Sequence, residues 1–129
     1  MTRYIIDAYA WIEYFNATKQ GEKVKEIIED KDNEIYTNPI TLSELASSFE
    51  RNNSSFSEEK EILLTLSKIM ALDIAFFEDT GKLHAQMKKQ RKHMSMADVF
   101  VYASAKKLNG KVLTGDEDFR GLKEVVMIK

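Results

Sequence analysis

Five acidic side chains stand where they could gather around one ligand: Asp7, Glu44, Asp98, Asp116 and Asp118. Crowded carboxylates repel one another or take up protons unless a cation lies between them. A set of hard oxygen donors is what Mg²⁺ or Mn²⁺ prefers. An ion held this way orients water, promotes its deprotonation and stabilises charge building on a phosphate during in-line attack, so no nucleophilic side chain is required.

Each acid also has a plainer role. Asp7 would cap the helix that follows it. Glu44 lies opposite the stripe of Leu42, Leu45, Ala46 and Phe49 and closes a Thr41-Leu42-Ser43-Glu44 capping box, so periodicity reads it equally as a solvated or capping glutamate. Asp98 forms a capping box with Ser95, yet its own helix face carries Val101, Tyr102 and Ala105, and an acid on an apolar face needs a partner. Asp116 and Asp118 sit in a turn, where aspartate is common.

These residues are positioned by elements that alternate along the chain. Tyr4-Ile5-Ile6 suits a strand buried on both faces, and residues 8–16 a short helix. Gly21 begins a second helical segment, 34–37 reads as a strand, and Asn38-Pro39 turns into a helix reaching about Asn52. After the polar loop at 52–55, Ser57-Glu58-Glu59-Lys60 reads as a capped start to a helix carrying Ile62, Leu63, Leu66, Ile69 and Met70. Residues 73–76 read as a brief third strand, and a helix from about Phe77 to Lys92 follows. Residues 94–119 supply a Ser95-capped helix to about Leu108, an Asn109-Gly110 turn, a strand at 111–114, and the two late aspartates. A last strand spans 124–128.

Strands alternating with helices predict an α/β fold, a three-layer sandwich with a mainly parallel sheet flanked by helices. Ligands in such sheets bind beyond the carboxyl ends of the strands. Asp7 and Asp116 should therefore share one rim, which Asp98 reaches only if its helix N-terminus points there.

With 129 residues the chain should form one domain, 1–129. No apolar run approaches the ~20 residues of a membrane span, and the start of the chain reads as strand and helix, not as a signal peptide. The absence of cysteine rules out disulfides, thiol catalysis and thiolate zinc, and fits a reducing cytoplasmic setting. A net charge of −2 argues against holding nucleic acid by bulk electrostatics, so contact with a polyanion must be local. The run Lys88-Lys89-Gln90-Arg91-Lys92-His93 is most simply a basic helix C-terminus, with phosphate contact as a second reading. His84 and His93 read as ordinary histidines, and Tyr9, Trp11, Tyr14 and Phe15 as core or interface.

The ordered set Ile5-Ile6-Asp7, Thr41-Leu42-Ser43-Glu44-Leu45, Ser95-Met96-Ala97-Asp98 and Leu113-Thr114-Gly115-Asp116-Glu117-Asp118-Phe119 resembles the PIN-domain nucleases. It is most similar to the short VapC-type toxins of prokaryotic toxin–antitoxin pairs. The resemblance implies a five-stranded parallel sheet, Mg²⁺- or Mn²⁺-dependent endoribonuclease activity on RNA, a homodimer, and a cognate VapB-type antitoxin protein bound near the site. It implies Asp7, Glu44, Asp98 and Asp116 as the catalytic quartet, with Asp7, Asp98, Asp116 and Asp118 as metal ligands and Thr114 and Ser95 in support. It also implies that Glu44 points into the site. Tyr9 departs from the family pattern, which has a small hydroxyl residue two places after the first acid, and this leaves open what hydrogen-bonds Asp7.

Two other classes compete. One is a catalytically silent module acting through antitoxin or nucleic-acid binding, against which the intact quartet argues. The other is phosphoryl transfer on an aspartate, but the dehalogenase pattern needs an acid where Tyr9 stands, and a receiver's terminal-strand lysine is not evident.

Overall fold

The computed structural model describes all 129 residues. The first half of the chain runs β1 (Thr2–Ile6), α1 (Ala8–Phe15), α2 (Lys19–Glu29), β2 (Asn33–Thr37), α3 (Pro39–Arg51) and α4 (Ser57–Leu66). The second half runs β3 (Lys68–Ile69), α5 (Ile74–Met87), α6 (Met96–Leu108), β4 (Lys111–Thr114), a single 3₁₀ turn (Glu117–Phe119) and β5 (Val125–Met127). The five strands form one sheet in the order β3-β2-β1-β4-β5, with every pair parallel. The predicted sandwich and five-stranded sheet are both present.

Parallel pairing puts all strand C-termini on one edge and requires helices on both faces. The central strands show the result. Ile5 and Val112 enter one core with Val99, Val101, Tyr102 and Ala105 of α6. Their neighbours Ile6 and Leu113 enter the other, with Ala10 and Trp11 of α1, Val24 of α2, Leu45 of α3 and Leu63 of α4. A run such as Tyr4-Ile5-Ile6 is apolar without alternation because neither face meets water. Trp11 is fully buried, stacks on Phe15 at 5.5 Å and donates its indole N–H to the Thr37 hydroxyl at 3.2 Å, so the early aromatic cluster is core. Helices α1 and α2 cross tightly at Gly21, where a Cβ would lie 2.0 Å from the Glu13 carbonyl oxygen.

The middle of the chain differs from the expectation. Residues 73–76 are not a strand: Asp73 accepts the Phe76 N–H at 2.9 Å and caps α5, which begins at Ile74. The third strand lies earlier, at Lys68–Ile69, on residues the helical stripe had absorbed. Helix α4 stops at Leu66 because Ser67 turns back, its hydroxyl donating to the Leu63 carbonyl at 2.8 Å and meeting the Thr37 hydroxyl at 2.8 Å. This seats β3 beside β2, with Met70 N–H donating to the Thr37 carbonyl. The expected Ser57 cap is also absent: Phe56 occupies that position and provides no side-chain bond. Helix α5 ends at Met87, and the basic run that follows is a series of turns. No helix is long and apolar enough to cross a membrane.

Candidate active site

The site is built on the C-terminal edge of the two central strands. Asp7 follows the last residue of β1 and is 6% exposed. Its Oδ1 accepts the Ala10 N–H at 2.8 Å, so the expected cap of α1 is present. Its Oδ2 accepts the hydroxyl of Thr114, the last residue of β4. That answers the question raised by Tyr9: the hydroxyl comes from the neighbouring strand. Tyr9 itself lies against Gly115, where a Cβ would fall 2.2 Å from its ring, so any larger residue there would force the ring to move.

Thr114 passes the order onward. Its hydroxyl oxygen also accepts the Asp116 N–H at 3.0 Å, and Asp116 Oδ1 in turn accepts the Asp118 N–H at 2.9 Å. Asp116 thereby caps the 3₁₀ turn whose Phe119 is fully buried, and the turn is pinned on both sides. From the other direction, α6 aims its N-terminus at this edge. Ser95 and Asp98 form the expected capping box, with Ser95 N–H donating to Asp98 Oδ2 at 3.0 Å and Asp98 N–H donating to the Ser95 hydroxyl at 3.1 Å. One carboxylate oxygen from each of Asp98, Asp116 and Asp118 lies within 4.8 Å of the others.

Glu44 approaches from α3. The predicted capping box at Thr41 does not form, because α3 begins three residues earlier than that box requires and Asn38 takes the cap, accepting the Ile40 N–H at 2.8 Å. The Asn38 amide also donates to the Ser104 hydroxyl at 2.7 Å, tying the start of α3 to α6. Asn38 is 1% exposed, a supporting residue that the sequence presented only as a turn signal before proline. Half-buried Glu44 faces the field of Asp98 and Asp116.

The electrostatics follow from this crowding. Burial, with smaller contributions from Asp116 and Asp98, pushes the Asp7 carboxyl up to about 7, against the lowering effect of Thr114 and Ala10. Burial also raises Glu44, aided by Asp98 and Asp116, and Asp98, aided by Asp116 and Asp118. No lysine or arginine neutralises the group: the ion pairs of the chain are Arg3–Glu34, Lys25–Glu29, Lys68–Glu34 and Arg120–Glu117. A cation with bonds of ~2.1 Å sets its ligands roughly 3 to 4 Å apart, and the Asp98, Asp116 and Asp118 oxygens, all within 4.8 Å of one another, would hold a small divalent ion after modest side-chain adjustment. Asp7 lies beside this trio with both oxygens already engaged, and Glu44 flanks it. Neither histidine joins it: His84 is half-buried on α5 and His93 is exposed.

The PIN domain family matches residues 4–125 of the chain. No curated protein sequence matches it. Among solved structures, VapBC2 from Rickettsia felis, bound to a DNA fragment from its promoter, is similar with a TM-score of 0.74 at 13% identity, over 97% of this chain and 96% of that one. Mycobacterium tuberculosis VapC20, described as a sarcin-ricin loop cleaving toxin, gives 0.74 at 17% over 95% and 98%. A toxin–antitoxin complex from Klebsiella pneumoniae gives 0.70 at 17% over 97% of each chain. At such identities the likeness is one of fold.

The raised Asp7 carboxyl has a direct consequence for the metal-free protein. The fold favours the protonated form, so this group's contribution is full below the ordinary value of 3.8 and is lost as pH rises through about 7. The loss is roughly 4 kcal/mol at most, from ~1.4 kcal/mol per unit. Urea denaturation in EDTA between pH 4 and 8 should show Asp7→Asn gaining on the wild type as pH rises; parallel curves would contradict the assignment.

Proposed function

We propose, from the premise that this chain belongs to the PIN domain family, that it is a single PIN-like domain spanning 1–129 that acts in the cytoplasm as a Mg²⁺- or Mn²⁺-dependent endoribonuclease, the toxin of a VapBC-type pair. One observation carries the reading: acids from separate elements converge on the strand C-termini with no protein cation among them. Asp98, Asp116 and Asp118 supply the oxygen cage, and Asp7 completes the charge behind it, held by Thr114 and Ala10. Bound there, the ion would polarise water and offset charge on the scissile phosphate. Glu44 positions water or metal from α3, and Ser95 holds the Asp98 carboxylate toward the cage. Replacing Asp98 or Asp116 with Asn should cut Mn²⁺-dependent cleavage of single-stranded RNA by about 100-fold or more and abolish the rise in Tm that Mn²⁺ gives the wild type. Full activity in either variant would defeat the mechanism, and tight antitoxin binding without cleavage by the wild type would make the protein a silent binding module.

The substrate strand is held beside the site by the basic turns after α5. Lys88, Lys89, Lys92 and His93 are exposed, and a cleft of about 340 Å³ joins Lys92 and His93 to Asp118. None of these lysines is paired with an acid. With Lys89→Gln and Lys92→Gln combined, the slope of log affinity against log salt for a single-stranded RNA should shrink by roughly 0.7 for each phosphate that is no longer neutralised. An unchanged slope would place the strand elsewhere.

A homodimer is supported by the apolar surface at the start of α5. Ile74 is 87% exposed and Phe77 53%, beside a groove lined by Ile40, Leu72 and Phe100. Light scattering should give twice the chain's 14.9 kDa mass for the wild type and the single mass for Phe77→Glu; a dimeric variant would move the interface to another face. The antitoxin is proposed as a further protein partner, on the likeness to VapBC complexes.

A further inference from the structure

The three acids of the proposed cage, Asp98, Asp116 and Asp118, come from two segments that no strand pairing joins. Asp98 lies in the first turn of α6, just beyond the α5–α6 connection that carries Arg91, whereas Asp116 and Asp118 belong to the turn after β4. One side chain bridges them. Arg91 donates from Nη1 to the Asp118 carbonyl at 3.0 Å and from Nη2 to the Arg120 carbonyl at 3.0 Å. Its own backbone is fixed, with its N–H on the Met87 carbonyl at 2.8 Å and its carbonyl accepting the Met94 N–H at 3.2 Å. The segments also meet below it, since buried Met94 and Phe119 share one core cluster. Gly121, at φ +88°, lies along the guanidinium, and a Cβ there would stand 3.4 Å from Nη2.

The choice of acceptor matters. A guanidinium pairs best with a carboxylate, and one that took the Asp118 side chain would compete with an incoming cation. Arg91 takes the peptide carbonyls instead and leaves the carboxylates free. Asp118 is then held at both ends of its backbone, its N–H on Asp116 and its carbonyl on Arg91.

We propose that Arg91 is a positioning residue that sets the spacing of Asp98 against Asp116 and Asp118, and so the affinity of this acidic trio for a divalent cation. The proposal rests on the metal-dependent reading of the site. Its distinguishing feature is the sign. Removing a positive charge beside a cation site should, on charge alone, tighten cation binding or leave it unchanged; losing the clamp loosens the cage and weakens it.

The test is Mn²⁺ titration by calorimetry of the whole protein and of Arg91→Met and Arg91→Lys, with circular dichroism to establish folding and amide hydrogen exchange in EDTA. Arg91→Met should bind Mn²⁺ about tenfold more weakly, in the range of lost outer-sphere support, and the Asp118 and Phe119 amides should exchange faster without any metal. Arg91→Lys keeps the charge but cannot span two carbonyls, and should also bind weakly. Unchanged or tighter binding in Arg91→Met, or full recovery in Arg91→Lys, would overturn the clamp. A wild type that binds no Mn²⁺ would instead defeat the metal reading, and unaltered exchange at Asp118 and Phe119 would defeat the positioning role on its own.

Discussion

Asp7 shares its two oxygens between an N–H of α1 and the Thr114 hydroxyl of β4, and is almost shut away from water. A carboxyl in that position is costly unless its oxygens are partnered. Partnering it requires β1 to lie next to β4 and α1 to start at once after β1. Together with the pairing of β1 to β2, those two demands place β1 at the middle of the sheet and bring the turn carrying Asp116 to the same edge. The helices on both faces, the fully buried Ile5 and Ile6, and the aim of α6 all surround this one polar link.

Local patterns told most where an element was long or its signal chemical. The helix from Ser95, the strand at 111–114 and the cap at Asp7 are all present because each depends on residues within a few positions of itself. The third strand was missed for the opposite reason. Two residues at a sheet edge have no period, and Ile69 and Met70 continue the helical spacing of Ile62 and Leu66. The strand exists because Ser67 and Thr37 meet across 30 positions. Residues 73–76 read as a strand because the apolar residues after Asp73 suit one, whereas Asp73 caps α5 through the Phe76 N–H.

The site was legible as a set of residue types and not as a geometry. Glu44 illustrates the limit: periodicity offered it a capping box equally, whereas Asn38 takes the helix start and Glu44 stands in the field of Asp98 and Asp116. The bonds that organise the acids span large separations, 66 positions for Asn38 to Ser104 and 27 for Arg91 to Asp118. No window on the chain contains both partners. Tyr9, the one departure from the family pattern, proved intelligible only beside Gly115.

The link between Asp7 and Thr114 spans 107 positions. A ribosome therefore makes Asp7 a full 107 positions before the hydroxyl that partners it. Until then β1 lacks one neighbour, and pairings between distant segments are the slow ones to form. The nascent chain carries acids that are not yet a site, so during synthesis the machinery making this protein meets it in an unassembled form.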